Sequence, residues 1–176
     1  MRRIVGLVGA VAAVTALGVS ATSAQKGVPA VPSSIQTEHE EIHEALVALT
    51  KAEGAVGAAA NELAAVLHPH FVREEEIALP PLGLLAPLAA GKTPDGMAEA
   101  LVMSDTLRKE MPRMLEEHKG IRAATDKLLQ VARKERHSAG EAFAATLALH
   151  AQTEEQVLYP AAILVGEVIR ARTPKR

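Results

Sequence analysis

The chain has 176 residues, a formal net charge of -2, 2% aromatic residues, no Trp and no Cys. Without Cys there are no disulfides, thiolate metal sites or iron–sulfur clusters. The lack of a basic block argues against nucleic acid as a partner, and the lack of aromatics removes stacking platforms for flat ligands.

In chain order, residues 1–24 read as a secretory signal peptide. Arg2 and Arg3 precede a short apolar run from Ile4 to Val19, and small residues offer cleavage after Ala21 or Ala24. That reading makes the mature protein secreted or periplasmic, with no membrane contact after cleavage. The alternative is a retained membrane anchor. Residues 25–34 (QKGVPAVPSS) form a linker. The remaining residues, 35–172, suffice for one domain with a core.

Four helices are expected and no strand, because apolar residues recur at spacings of three and four. The first begins with Ser33 or Ser34 as N-cap and ends before Gly54. The second runs from about Ala55 to Leu79, with Pro69 bending or restarting it just before His70. Residues 80–96 are too rich in Pro and Gly for one regular helix. The third helix runs from Pro94 or Met97 to about Lys134, with a kink at Pro112. The fourth starts after His137–Gly140 and reaches Tyr159; Pro160 kinks it before a terminal piece from Ala161 to Arg172.

The chain repeats itself. HFVREEEIALP (70–80) aligns without a gap on HAQTEEQVLYP (150–160), matching His70, Glu74, Glu75 and Pro80 to His150, Glu154, Glu155 and Pro160. EHEEI (38–42) similarly matches EHKGI (117–121). The expected fold is therefore an all-α antiparallel four-helix bundle built from two duplicated hairpins. In such a hairpin, residues equidistant from the turn share a height. Gly54 sits midway between His39 and His70. The turn near His137 lies about three residues, or roughly 4.5 Å, beyond the midpoint of His118 and His150. Four histidines thus fall in one layer.

His70 with Glu74, and His150 with Glu154, stand four apart on one helical face. Each pair offers an imidazole nitrogen and a carboxylate to the same cavity. A carboxylate can bridge two metals where an imidazole cannot, so a buried two-metal site follows. Glu75 and Glu155 either back the histidines or replace Glu74 and Glu154 as ligands. His43 lies one turn beyond His39, and its counterpart in the repeat is Arg122, which cannot ligate. This sets one metal on His39, His43 and His70, and the other, with an open position, on His118 and His150. His43→Ala is then expected to weaken one metal selectively. His68 points away from His70 and His137 sits in a turn, so neither is assigned to the metals. Glu76 belongs to a solvated face. Tyr159 is placed on the far side of its helix, as a packing residue, and the Met residues belong to the core.

These motifs resemble the hemerythrin-like, or HHE cation-binding, family, over roughly residues 35–165. The resemblance implies a four-helix bundle around a non-haem di-iron centre with oxo and carboxylate bridges. It implies ligand roles for His39, His70, Glu74, His118, His150 and Glu154. There are two departures. The family's oxygen carriers have a second histidine one turn on in the third helix, where this chain has Arg122; His43 repairs this if the three-histidine side has moved to the first helix. They also have His and Asp five apart on the fourth helix, where this chain offers Glu154 at four and Glu155 at five. Ferritin-like proteins place Glu before His at a spacing of three, the reverse of the order here.

The resemblance implies binding or sensing of O2 or a similar diatomic ligand such as NO. A His-rich set donates less charge than four carboxylates, which favours binding over activation. The alternative is a redox or stress protein acting on nitric oxide or peroxide, or handling iron, with a separate reductase. A third reading is a structural zinc site, since N/O ligands do not choose the metal. The chain carries no electron-transfer domain or second cofactor motif, which tilts the reading toward a metal- and oxygen-binding protein rather than a catalyst.

Overall fold

A computed structural model describes residues 27–173, all helix and connecting turns with no strand among them. The expected signal peptide over 1–24 lies outside the described residues. The helices are α1 (Ser33–Thr50), α2 (Gly54–Ile77), α3 (Leu85–Ala89), α4 (Met97–Glu135), α5 (Ser138–Thr153) and α6 (Tyr159–Arg172). A 3-10 turn at Pro80–Leu84 leads into α3, and a π turn at Glu154–Leu158 joins α5 to α6. No helix among the described residues is long and apolar enough to cross a membrane.

The helix ends follow from local chemistry, with some departures from the expected ones. α1 starts at Ser33 without a side-chain cap; the Pro32 carbonyl accepts from Ile35 and Gln36 instead. Gly54 takes φ 75°, a left-handed conformation that glycine adopts without a Cβ clash, and so reverses the chain between α1 and α2. His137 caps α5, its Nδ1 accepting from the Gly140 amide at 3.1 Å. Pro69 and Pro112 lie inside α2 and α4 without ending either helix. Both are exposed, as are Ala65 and Arg108, whose carbonyls lose the bond that a proline cannot make. On a solvent-facing side such carbonyls are open to water, so neither proline need restart its helix.

The interruption in the last helix falls ahead of Pro160 rather than at it. Proline cannot donate to the carbonyl four residues back and its ring crowds that group. The backbone widens instead, and the Tyr159 amide donates to the Glu154 carbonyl five residues earlier. The matching place in α2 shows the same bond: the Leu79 amide reaches the Glu74 carbonyl at 3.0 Å, just before Pro80.

α1 packs on α2 and α5, α2 on α4, and α4 on α5, so these four helices close a ring. α6 extends along α4, where Gly166 allows close approach; a Cβ there would stand 2.6 Å from Ser104 Cβ. Two apolar clusters fill the ring. One holds Ile42, Leu46, Leu63, Leu67, Ile121, Leu128 and Leu147; the other holds Ile77, Leu79, Leu107, Met114 and Tyr159. On α2, α4, α5 and the start of the π turn, the polar residues His70, Glu74, His118, His150 and Glu154 fall between the two. Apolar packing on both sides therefore encloses one polar layer.

Candidate metal centre

His39 comes from α1, His70 and Glu74 from α2, His118 from α4, His150 from α5, and Glu154 from the first position of the π turn. Each is at most 3% exposed. Burying six ionisable side chains is costly unless each finds a partner or a cation. Here several do not. Both ring nitrogens of His39 and His150, Glu74 Oε2 and Glu154 Oε1 are buried without a hydrogen-bond partner. Native interiors rarely tolerate so many orphaned groups together, and a cation site is one standard reason for them.

Donor atoms converge in two groups. His70, Glu74, His118 and Glu154 form one, His39, His150 and Glu154 the other, and within each group the atoms lie within 4.8 Å of one another. His70 Nε2 and His118 Nε2 are 2.8 Å apart. The His39 and His150 rings meet edge to face at 5.0 Å between centroids. Glu154 turns one oxygen to each group: Oε1 lies 2.9 Å from His150 Nε2 and 3.5 Å from His39 Nε2, and Oε2 lies 3.5 Å from His118 Nε2. Glu74 does the same, with Oε1 3.4 Å from His70 Nε2 and Oε2 4.0 Å from His39 Nε2. Imidazole nitrogens and carboxylate oxygens at this spacing suit a divalent transition metal.

The outward Nδ1 atoms meet a surrounding set of carboxylates. His118 Nδ1 is 2.8 Å from Glu155 and His70 Nδ1 is 3.0 Å from Glu117. His150 Nδ1 is 3.2 Å from Glu38 and His39 Nδ1 is 3.6 Å from Glu75, both ion-pair contacts without hydrogen-bond alignment. Such partners fix the tautomer, leaving each Nε2 bare for a metal.

The protonation pattern is that of a site awaiting cations. Burial and then the Glu154 charge push the Glu74 carboxyl up to about 7. Burial also works against ionised Glu154, but the adjacent His150 and His39 rings outweigh it and hold this carboxyl below its usual range. For His39, burial opposes the charge while Glu154 and Glu75 raise the ring to about 9. Burial lowers His118, whereas His70, against burial, is raised by Glu74. A protonated His70 can thus donate to a bare His118 nitrogen. Protons occupy positions that a metal would take.

The structure brings together six of the seven residues expected from the sequence. His43 is a correction. It is exposed, and its ring faces the exposed His68 at 5.9 Å between centroids. One turn along α1 from His39, the interior is filled by Ile42, which is 2% exposed. The expected pairing changes too: His70 stands with His118 and His39 with His150. Each helix in the ring has two neighbours, and equal height does not choose between them.

Tyr159 is a second correction. Five α-helical steps would carry it roughly 140° round from Glu154, whereas the bond between residues five apart returns it toward the same face. Its hydroxyl donates to Glu74 Oε1 and lies 3.1 Å from His118 Nε2 and 3.4 Å from His70 Nε2. Burial, then the charges of Glu74 and Glu154, push its phenol far up, so it stays a donor. Glu38 and Glu117 also gain roles not assigned from the sequence, although each is the Glu of a repeated EH motif. Compared with models of known protein families, with curated proteins and with solved structures, the chain has no match.

Proposed function

We propose that the polar layer holds two iron ions in an exported, hemerythrin-like protein that binds or senses O2 or a similar diatomic ligand. The observation that carries this reading is the geometry of Glu74 and Glu154, each of which presents one oxygen to each histidine pair. His70 and His118 would hold one ion and His39 and His150 the other, with Glu74 and Glu154 each offering oxygens to both pairs. Iron bound there supplies a reversible change of oxidation state and an attachment point for the small ligand.

The residues around the centre do the remaining work. The outer carboxylates orient the imidazoles, Tyr159 holds Glu74, and the apolar clusters keep bulk water away. The bundle is read as two antiparallel copies of one hairpin. Exchanging α1 with α4 and α2 with α5 carries the Glu38–His150 contact onto Glu117–His70, and Glu75–His39 onto Glu155–His118, which supports that reading. Turnover of peroxide or nitric oxide is the second reading. One feature favours it: the Tyr159 hydroxyl is a proton-bearing group beside the His70 and His118 nitrogens.

The test is to purify the chain aerobically, count iron per chain, and record the visible spectrum through reduction and re-exposure to oxygen. About two irons per chain, with bands that vanish and return, is the expected result. A colourless protein that takes up zinc and rejects ferrous iron sinks the iron reading. Irreversible bleaching with consumption of peroxide favours turnover.

A further inference from the structure

We infer that the two metal positions differ in how firmly they hold their ions: the position on His70 and His118 retains its metal, and the one on His39 and His150 exchanges it. This rests on the two-ion reading above. The sequence repeat makes the histidines alike on both sides; Glu74 converges with Glu154 on the His70 and His118 group alone, and the remaining difference lies in what stands behind the rings.

Behind His70 and His118 the carboxylates are pinned. Glu117 is 29% exposed and also accepts from Arg113 Nε at 2.7 Å. Glu155 is 26% exposed and also accepts from Arg122 Nη1. Each guanidinium gives its carboxylate a second, charge-assisted contact that narrows its freedom, although Arg113 and Arg122 are themselves 60% and 44% exposed. Behind His39 and His150 the carboxylates are loose. Glu75 is 58% exposed at 3.6 Å, and Glu38 is 45% exposed at 3.2 Å. Neither has an Arg or Lys partner among the described residues' ion pairs. Water competes for such carboxylates and long side chains there sample many rotamers.

To release its ion, an imidazole must turn its Nε2 away, and an Nδ1 anchor resists that rotation. The arginines draw some charge from Glu117 and Glu155 and make the imidazoles slightly less basic. That effect acts on the strength of the metal bond; the anchor acts on the ring's freedom to leave. The inner walls differ in the same sense. The Tyr159 hydroxyl closes the His70 and His118 side, while Phe71, stacked on His39 at 4.2 Å, offers the other side no hydrogen bond. A cleft of about 280 Å3 is lined by His70 and by Glu117, the carboxylate that His70 Nδ1 meets. Arg122, which replaces a would-be ligand in the repeat, thereby acquires a role as the clamp on Glu155.

The test uses zinc on the full chain, since zinc needs no redox control. The loaded protein is mixed with a chromophoric chelator and release is followed by absorbance. The expected trace is biphasic, one ion per chain in each phase, the phases differing by about tenfold or more. Joint Glu117→Gln and Glu155→Gln changes should accelerate the slow phase by about 10–100-fold, while joint Glu38→Gln and Glu75→Gln changes leave it in place. His39→Ala should remove the fast phase and His70→Ala the slow one, with helical circular dichroism confirming that each variant folds. Two ions leaving the unmodified chain at one rate, or acceleration of the slow phase by the Glu38 and Glu75 changes, overturns the inference and spares the two-ion reading. A single zinc per chain overturns both.

Discussion

The Tyr159 hydroxyl donates to Glu74 Oε1, tying the start of α6 to the last turn of α2 across the buried layer. Both groups are fully enclosed. Removing the hydroxyl leaves a buried carboxylate oxygen short of a donor, which costs about 1–3 kcal/mol. Tyr159→Phe is therefore expected to lower the stability of the metal-free protein by that amount in urea titration. An unchanged midpoint would mean that this bond does not persist in solution.

Glu154 is the one residue shared by both donor groups. Glu154→Gln keeps the shape and removes the charge, so zinc or iron content should fall at both positions together. Glu76→Gln, on an exposed site paired with Arg73, should leave metal content intact. Elemental analysis of the two variants distinguishes a shared carboxylate from a general loss of acidity.

His43 separates two accounts of the site. Because its ring stands outside with His68, His43→Ala should retain full metal content, with stability within about 0.5 kcal/mol of the parent. His39→Ala should lose one ion. Loss of metal from the His43 variant would restore the five-histidine arrangement that the sequence suggested.

Metal-free stability should depend on pH in a direction set by three groups. His39 rises from 6.5 to about 9, with burial opposing and Glu154 and Glu75 prevailing; burial and Glu154 raise Glu74 from 4.5 to about 7. Both bind protons more readily folded than unfolded. Their contributions are complete below the ordinary values and are lost as pH rises through about 7 and about 9. Glu154 runs the other way: its contribution is present above 4.5 and lost as pH falls below that. The chelator-treated chain should thus melt at a higher temperature near pH 6 than near pH 9. Metal affinity should climb over the same interval, because binding displaces these protons. A flat melting profile together with pH-independent affinity would contradict the assigned protonation.

The layer of four histidines and two carboxylates was legible because the repeat fixes spacing twice, and helical geometry turns spacing into direction. His70, Glu74, His150 and Glu154 needed only the i, i+4 rule. What the sequence hid was relational. His43 satisfies the same rule with respect to His39, yet only one helical turn fits inside the layer and Ile42 fills the next. Pairing across the ring depends on which neighbour a helix turns toward. Tyr159 was misplaced because a uniform 100° step does not hold where Pro160 forces a wider turn. Glu38 and Glu117 were visible as repeated letters, but their partners lie on other helices.

The five residues from Glu154 to Leu158 set the phase between two otherwise independent surfaces. Ahead of them, His150 and Glu154 must aim inward; beyond them, Ala162, Val165 and Ile169 must lie against α4. Deleting exposed Gln156 would leave Tyr159 four α-helical steps from Glu154, about 40° round and still on the inward face, but would press the Pro160 ring against the carbonyl of an ordinary turn. One extra residue thus makes room for the proline without disturbing either the reactive layer or the tail's anchorage.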